Sequence, residues 1–216
     1  MVLPIIIYAI VAGVVGFCGG CGIAILKEKI GGKKIVLLGP RTAGKTTLSE
    51  YLSTGYIHSK YKQTVQGVTK KGRLIAIKEL KLKISKIEDV PGAREYYRQW
   101  KDAFEKSDIV LYLFRADEIW ERKAETEKRI YSDLEHISKW IKENNDGKLY
   151  LLVGTHCDLI PGFSAEFYDK LIAMPAIKKF RLRMANSNDI IFGNMVTVES
   201  TEILTYYILN FLAEKL

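Results

Sequence analysis

The stretch Gly39-Pro40-Arg41-Thr42-Ala43-Gly44-Lys45-Thr46 fills the pattern G-x-x-x-x-G-K-[ST], and it constrains the fold more tightly than any other part of the chain. A loop of that kind sits between a buried strand and a helix. Before it, Lys34-Ile35-Val36-Leu37-Leu38 is a short, largely apolar run with β-branched residues; after it, Thr46-Thr47-Leu48-Ser49-Glu50-Tyr51-Leu52 reads as helix. The glycines let the backbone turn tightly and aim several N–H groups inward, where with the positive end of the helix they cradle anionic oxygens. Lys45 is then placed to reach the β and γ phosphates of a nucleotide, and the Thr46 hydroxyl to hold Mg²⁺. The competing reading is a glycine turn between strand and helix with a solvated lysine, and the full motif in its expected strand-loop-helix context makes it the weaker one.

Residues 1 to 26 carry no charged side chain, and the apolar run from Val2 to Leu26 exceeds the roughly 20 residues a helix needs to cross a bilayer. Lys27, Lys29, Lys33 and Lys34 follow directly, which predicts a spanning helix whose C-terminal side is cytoplasmic. A secretory signal would begin with a basic segment, absent here, and would carry a nucleotide-binding domain away from cytosolic nucleotide. Ala12, Gly16 and Gly20 recur at every fourth position, a spacing that lets helices approach closely in lipid and fits a homodimer or a membrane partner. Cys18 and Cys21 lack the further His or Cys ligands of a metal site, and Cys157 stands apart, so three cysteines make no disulfide framework.

The 216-residue chain has a formal net charge of +8, all of it carried after residue 26. Lysines crowd residues 60 to 86 and return in Lys178-Lys179-Phe180-Arg181-Leu182-Arg183. Beside an anionic leaflet each basic residue near the surface contributes about 1 kcal/mol, so the charge suits a membrane-tethered domain. No DNA- or RNA-binding motif accompanies it, and nucleic acid is the weaker reading.

Residues 27 to 34 read as a linker and 35 to 216 as one domain. The polar stretch from Ser53 to Lys71 reads as a loop. Two lysine-laced runs, at 74 to 78 and 80 to 87, suggest an antiparallel hairpin at one sheet edge. Asp108 to Phe114 and Lys148 to Gly154 are continuous apolar runs after their first residue, the mark of central parallel strands. Between them Glu118 to Asn144 reads as one amphipathic helix; Ile190 to Val198 reads as an outer strand and Thr201 to Leu216 as a closing helix. The alternation predicts an α/β fold in three layers with a mostly parallel sheet and ligand at the carboxyl ends of its strands.

Two further motifs fall at strand ends. Asp89-Val90-Pro91-Gly92 follows the run ending near Ile87: its aspartate suits a metal-bound water and its glycine N–H a terminal phosphate. Thr155-His156-Cys157-Asp158 follows the run ending at Gly154. A carboxylate at Asp158 accepts two hydrogen bonds from the N1–H and exocyclic amine of guanine, a donor pair adenine does not offer.

The order of phosphate loop, D-x-x-G and T-H-x-D resembles the Ras-like P-loop GTPases of the TRAFAC class across residues 35 to 216. Most members carry N-K-x-D at the third motif. The T-H-x-D form is similar to that of Roc domains, as are Thr47-Leu48 and Arg94-Glu95-Tyr96-Tyr97. The resemblance implies a Ras-like G domain binding GTP or GDP with Mg²⁺. It implies phosphate and metal roles for Gly39, Pro40, Arg41, Thr42, Ala43, Gly44, Lys45, Thr46 and Thr47, and γ-phosphate and metal reading by Asp89 and Gly92. Guanine falls to Thr155, His156 and Asp158, with a further base-contacting loop near Ser200. Thr64 fits the metal-closing threonine of the first switch, Thr69 being the alternative.

Two departures bear on catalysis. Ala93 follows the D-x-x-G glycine where fast Ras-like enzymes carry a water-orienting glutamine, and Arg41 and Arg94 are arginines beside the site that either stabilise phosphoryl transfer or stay solvated. The expectation is a membrane-anchored, cytoplasm-facing GTP-binding protein, a slow GTPase acting as a switch toward an unidentified effector or regulator. Two alternatives remain: a nucleotide-stabilised membrane receptor with little turnover, and an ATPase or small-molecule kinase, against which T-H-C-D speaks.

Overall fold

Lys34–Leu38 (β1) alternates its apolar side chains between two faces, and every residue after Lys34 is buried. A strand covered on both sides needs helices above and below it. In the computed structural model, which describes residues 30–54, 68–71, 74–77, 80–83, 86–89, 96–144, 147–183 and 190–216, those helices are present on both faces of a six-stranded sheet. The strands are β1, Val68–Lys71 (β2), Lys86–Asp89 (β5), Ile109–Arg115 (β6), Leu149–Thr155 (β7) and Ile190–Phe192 (β8), in the order β2-β5-β1-β6-β7-β8. From β5 to β8 all neighbours are parallel, and β2 alone is antiparallel, against β5.

The period-2 alternation of the strands divides the core in two. On one face Val36, Leu38, Val110, Tyr112, Phe114 and Leu152 meet Trp100 and Phe104 of Tyr97–Glu105 (α2) and Ile130 and Leu134 of Ala124–Asn144 (α4), with Ile177 and Phe180 of Pro175–Arg183 (α6) in the same cluster. On the other, Ile35, Leu37, Ile109, Leu111, Leu113 and Val153 meet Leu48 and Leu52 of Lys45–Thr54 (α1) and Leu204, Ile208 and Leu212 of Val198–Lys215 (α7). This is the three-layer α/β arrangement expected from the alternating pattern.

Several boundaries differ from expectation. Leu74–Ile77 (β3) and Leu80–Lys83 (β4) pair antiparallel, but as a separate two-stranded sheet and not as the edge of the main one. That edge is β2, inside the stretch read as loop; Val-Thr-Lys-Lys has a single apolar residue and gives no alternating signal. Lys86–Asp89, read as the tail of the hairpin, is the strand beside β1.

The helix expected over 118 to 144 is two helices, Ala116–Trp120 (α3) and α4. Arg122 between them has φ 55, with Arg122 N–H donating to the Ile119 carbonyl and Lys123 N–H to that of Glu118, the bond pair of a left-handed helix stop. Such a stop usually carries glycine, and arginine hid it.

The outer strand ends at Phe192, and the chain enters α7 through a loop. A further helix, Ala165–Ala173 (α5), lies between T-H-C-D and α6. Within the segment read as linker, Ile30 is fully buried against the α1–α7 cluster and Lys34 already opens β1. The apolar run 1 to 26, with Cys18 and Cys21, lies outside the described residues; among the described residues no helix is long and apolar enough to cross a membrane.

Candidate nucleotide site

The carboxyl ends of β1, β5 and β7 lie along one edge of the sheet, with Leu37 opposite Asp89 and β6 between β1 and β7. From Leu38 the chain turns through Gly39 to Gly44 and enters α1 at Lys45. Two positions in this turn require glycine. Gly39 has φ 136, and a Cβ there would lie 2.0 Å from the Leu113 carbonyl oxygen on β6. Gly44 has φ 82, with the Met195 methyl 2.3 Å from where a Cβ would stand. Thr42 also takes a positive φ, 63, and its hydroxyl donates to the Arg41 carbonyl at 2.6 Å.

Lys45 is buried, and its ammonium donates to the carbonyls of Gly39 at 2.9 Å and Pro40 at 2.8 Å. The charge therefore sits across the loop that its own helix leaves. Thr46 and Thr47 follow in the first turn of α1, both half-buried, while Arg41 and Thr42 are exposed and Ala43 is buried.

The T-H-C-D segment is tied to this loop. Thr155 ends β7, fully buried, with its hydroxyl 3.2 Å from the Ala43 carbonyl, 3.0 Å from that of Phe114 and 2.9 Å from His156 Nδ1. One hydroxyl proton thus serves two carbonyls, joining β7, β6 and the phosphate loop at a point. His156 has φ 60, a left-handed residue that breaks the strand and lets Cys157–Leu159 close as a single 3₁₀ turn, on which Asp158 is exposed. Burial, then the Arg115 guanidinium, lower the His156 pKa below its ordinary 6.5. Cys157 is buried and free, its thiol pushed far up by burial and so held protonated.

Arg115, at the end of β6, is paired with Asp117, its Nε donating to Oδ1 at 3.1 Å, and lies 3.6 Å from Glu118. The β8–α7 loop completes the edge. Gly193 N–H donates to the Gly154 carbonyl at 2.9 Å, and Cys157 N–H donates to the Gly193 carbonyl at 3.2 Å.

The structure brings the phosphate loop and T-H-C-D together, with the backbone end of β5 at Asp89 alongside. Thr64, Gly92 and Arg94 lie outside the described residues; Thr69 lies in β2 opposite Glu88. Ser200, near which a base-contacting loop is expected, lies just past the β8–α7 loop. It belongs to the first turn of α7, where its hydroxyl accepts from Thr197 N–H at 3.1 Å while its own N–H donates to the Thr197 hydroxyl at 3.1 Å, a capping box. The loop that reaches the phosphate loop is Gly193 to Thr197, through Met195. Its signal in the sequence is Gly193-Asn194 directly after an apolar run, which a strand drawn through to Val198 concealed.

The donor set fits a nucleotide with a hard divalent cation. Gly39 packs against the β6 backbone with no room for a side chain, the adjoining helix begins with a buried ammonium, and the next residue offers a hydroxyl.

Residues 34–158, more than half of the chain, match the family described as Roc, the Ras of Complex domain of DAPkinase. The match runs from the first residue of β1 to Asp158 and so takes in all three motifs. The chain belongs to the Roc family of Ras-like P-loop GTPase domains, and guanine nucleotide is its ligand. No match to this chain was found among curated proteins.

Proposed function

We propose that this chain is a membrane-anchored GTP-binding switch with slow intrinsic hydrolysis, its G domain facing the cytoplasm. The observation that carries the reading is the joining of phosphate loop and base motif through Thr155, which ties phosphate and guanine recognition into one rigid edge. Gly39 to Thr47 wrap the phosphates, Lys45 neutralises their negative charge, and Thr155, His156 and Asp158 form the guanine wall. Thr46, Asp89 and Thr64 are the residues that would hold Mg²⁺, which when bound offsets charge on the β and γ oxygens. Gly92 reads the terminal phosphate.

Slow turnover is argued from Ala93, whose methyl group orients no water, and from positioning being what phosphoryl transfer most needs. Anchoring is argued from the uncharged run 1 to 26 followed by four lysines within eight residues. A receptor that holds GTP with negligible turnover is favoured by the same alanine. Single-turnover hydrolysis by the full chain in detergent micelles separates the two: the switch predicts conversion that a partner accelerates, the receptor none. Binding that ADP displaces as well as GDP would overturn both.

A further inference from the structure

Gly44 is where the phosphate loop becomes helix. Its φ is 82, and its carbonyl accepts from Leu48 N–H at 3.0 Å, a bond of the first turn of α1. A glycine at such a junction covers neither side of its own Cα, and a close-packed interior fills the place with a neighbour. That neighbour is Met195. Its methyl carbon lies 2.3 Å, and its sulfur 3.9 Å, from the point where a Gly44 Cβ would stand. Thr155 Cγ2 is 3.9 Å from the same point, so the two side chains meet the loop side by side.

The loop that carries Met195 is fastened at both ends. Gly193 is bonded through its N–H to the Gly154 carbonyl and through its carbonyl to Cys157 N–H, which ties that end to the base motif. A Cβ on Gly193 would lie 2.9 Å from Leu204 Cδ1, so the same end also packs onto α7. At the other end Thr197 caps α7. Between these anchors Val196 is 67 % exposed, while Met195 turns inward against the cluster that holds Ala43 and Leu48. An unbranched thioether spans such an irregular gap with little strain. What the position adds to simple burial is a link: a shift of Gly44 toward the base loop meets a methyl whose own place is set from Gly154 and Cys157.

Resting on the guanine-nucleotide reading above, we propose that Met195, which lies outside the matched residues 34–158, is a positioning residue for nucleotide binding: its methyl, seated on Gly44, holds the helix end of the phosphate loop in a shape fixed from the base motif. The thioether acts through Gly44 and recognises neither phosphate nor base.

The test uses the full chain in detergent micelles, with titration of fluorescent GDP and amide hydrogen exchange before nucleotide is added. Met195→Ala removes the sulfur and methyl and opens the space beside Gly44. It is expected to lower GDP affinity about fivefold or more, the ordinary size of a coupling between sites, and to speed exchange across residues 39 to 47. Met195→Leu refills the space and is expected to keep both near wild type. Val196→Ala, at an exposed position of the same loop, is expected to change neither. Should Met195→Ala fail to fold, Met195→Val is read by the same two measurements, with the same directions expected. Unchanged GDP affinity in the folded variant, or an affinity that falls while exchange across 39 to 47 stays as in the wild type, overturns the positioning role and leaves the nucleotide reading standing. A wild-type chain that binds no guanine nucleotide overturns both.

Discussion

Lys45 has one ammonium, and the loop holds it at the mouth through two of its own carbonyls. Replacing it with methionine keeps the stem and removes the charge, so nucleotide affinity is expected to fall on the order of a hundredfold while the fold persists, as measured by fluorescent GDP titration and circular dichroism. Thr155→Val is isosteric and strips the bond that two carbonyls share; it is expected to cost about 1–3 kcal/mol in urea unfolding. His156 gives a pH dependence. Its folded pKa lies below the unfolded 6.5, so the unfolded chain binds the extra proton first, and stability present above 6.5 is lost as pH falls through and below that value. His156→Gln should flatten the acid side of the melting-temperature profile. A variant as steep as the wild type would mean that other groups govern that limb.

Among the elements, β1, β6 and β7 were legible because strands covered on both faces read as unbroken apolar runs, and α7 because its periodicity is carried by large side chains. What was not legible depended on backbone geometry instead of hydrophobic pattern. The stop after α3 rests on a positive φ at Arg122, and edge strand β2 on backbone pairing with β5 alone. The start of α7 rests on Thr197 and Ser200, which cap each other. Thr197→Ala is expected to cost about 1 kcal/mol in denaturant unfolding. Ser200→Ala should destabilise in the same direction; comparing its preference for guanine over adenine nucleotide with that of the wild type tests whether Ser200 also contacts the base. At the phosphate loop, Gly39→Ala combines a forced positive φ with a Cβ 2.0 Å from a carbonyl oxygen, and is expected to cost more than about 2 kcal/mol in the same assay.

On the scale of the whole molecule, the mostly parallel sheet gathers the phosphate loop, Asp89 and T-H-C-D at one edge because each stands at or just past the carboxyl end of a strand, the general location of ligands in open α/β sheets. The motifs were legible one by one, yet what joins them, a threonine hydroxyl spanning 112 residues of sequence to Ala43, carries no signature in the sequence. Removing residues 1 to 26 is expected to move the protein from the membrane pellet to the soluble fraction with nucleotide affinity kept. The central claim is that Asp158 reads guanine in a phosphate-loop GTPase domain. Its most direct test is a competition titration of fluorescent GDP on the full-length wild type and on Asp158→Asn, with GDP, ADP and xanthosine diphosphate as competitors. The account predicts that GDP alone competes well with the wild type and that xanthosine diphosphate displaces GDP as the preferred ligand of the variant. A wild type that binds ADP as tightly as GDP, or a variant with unaltered base preference, would contradict it.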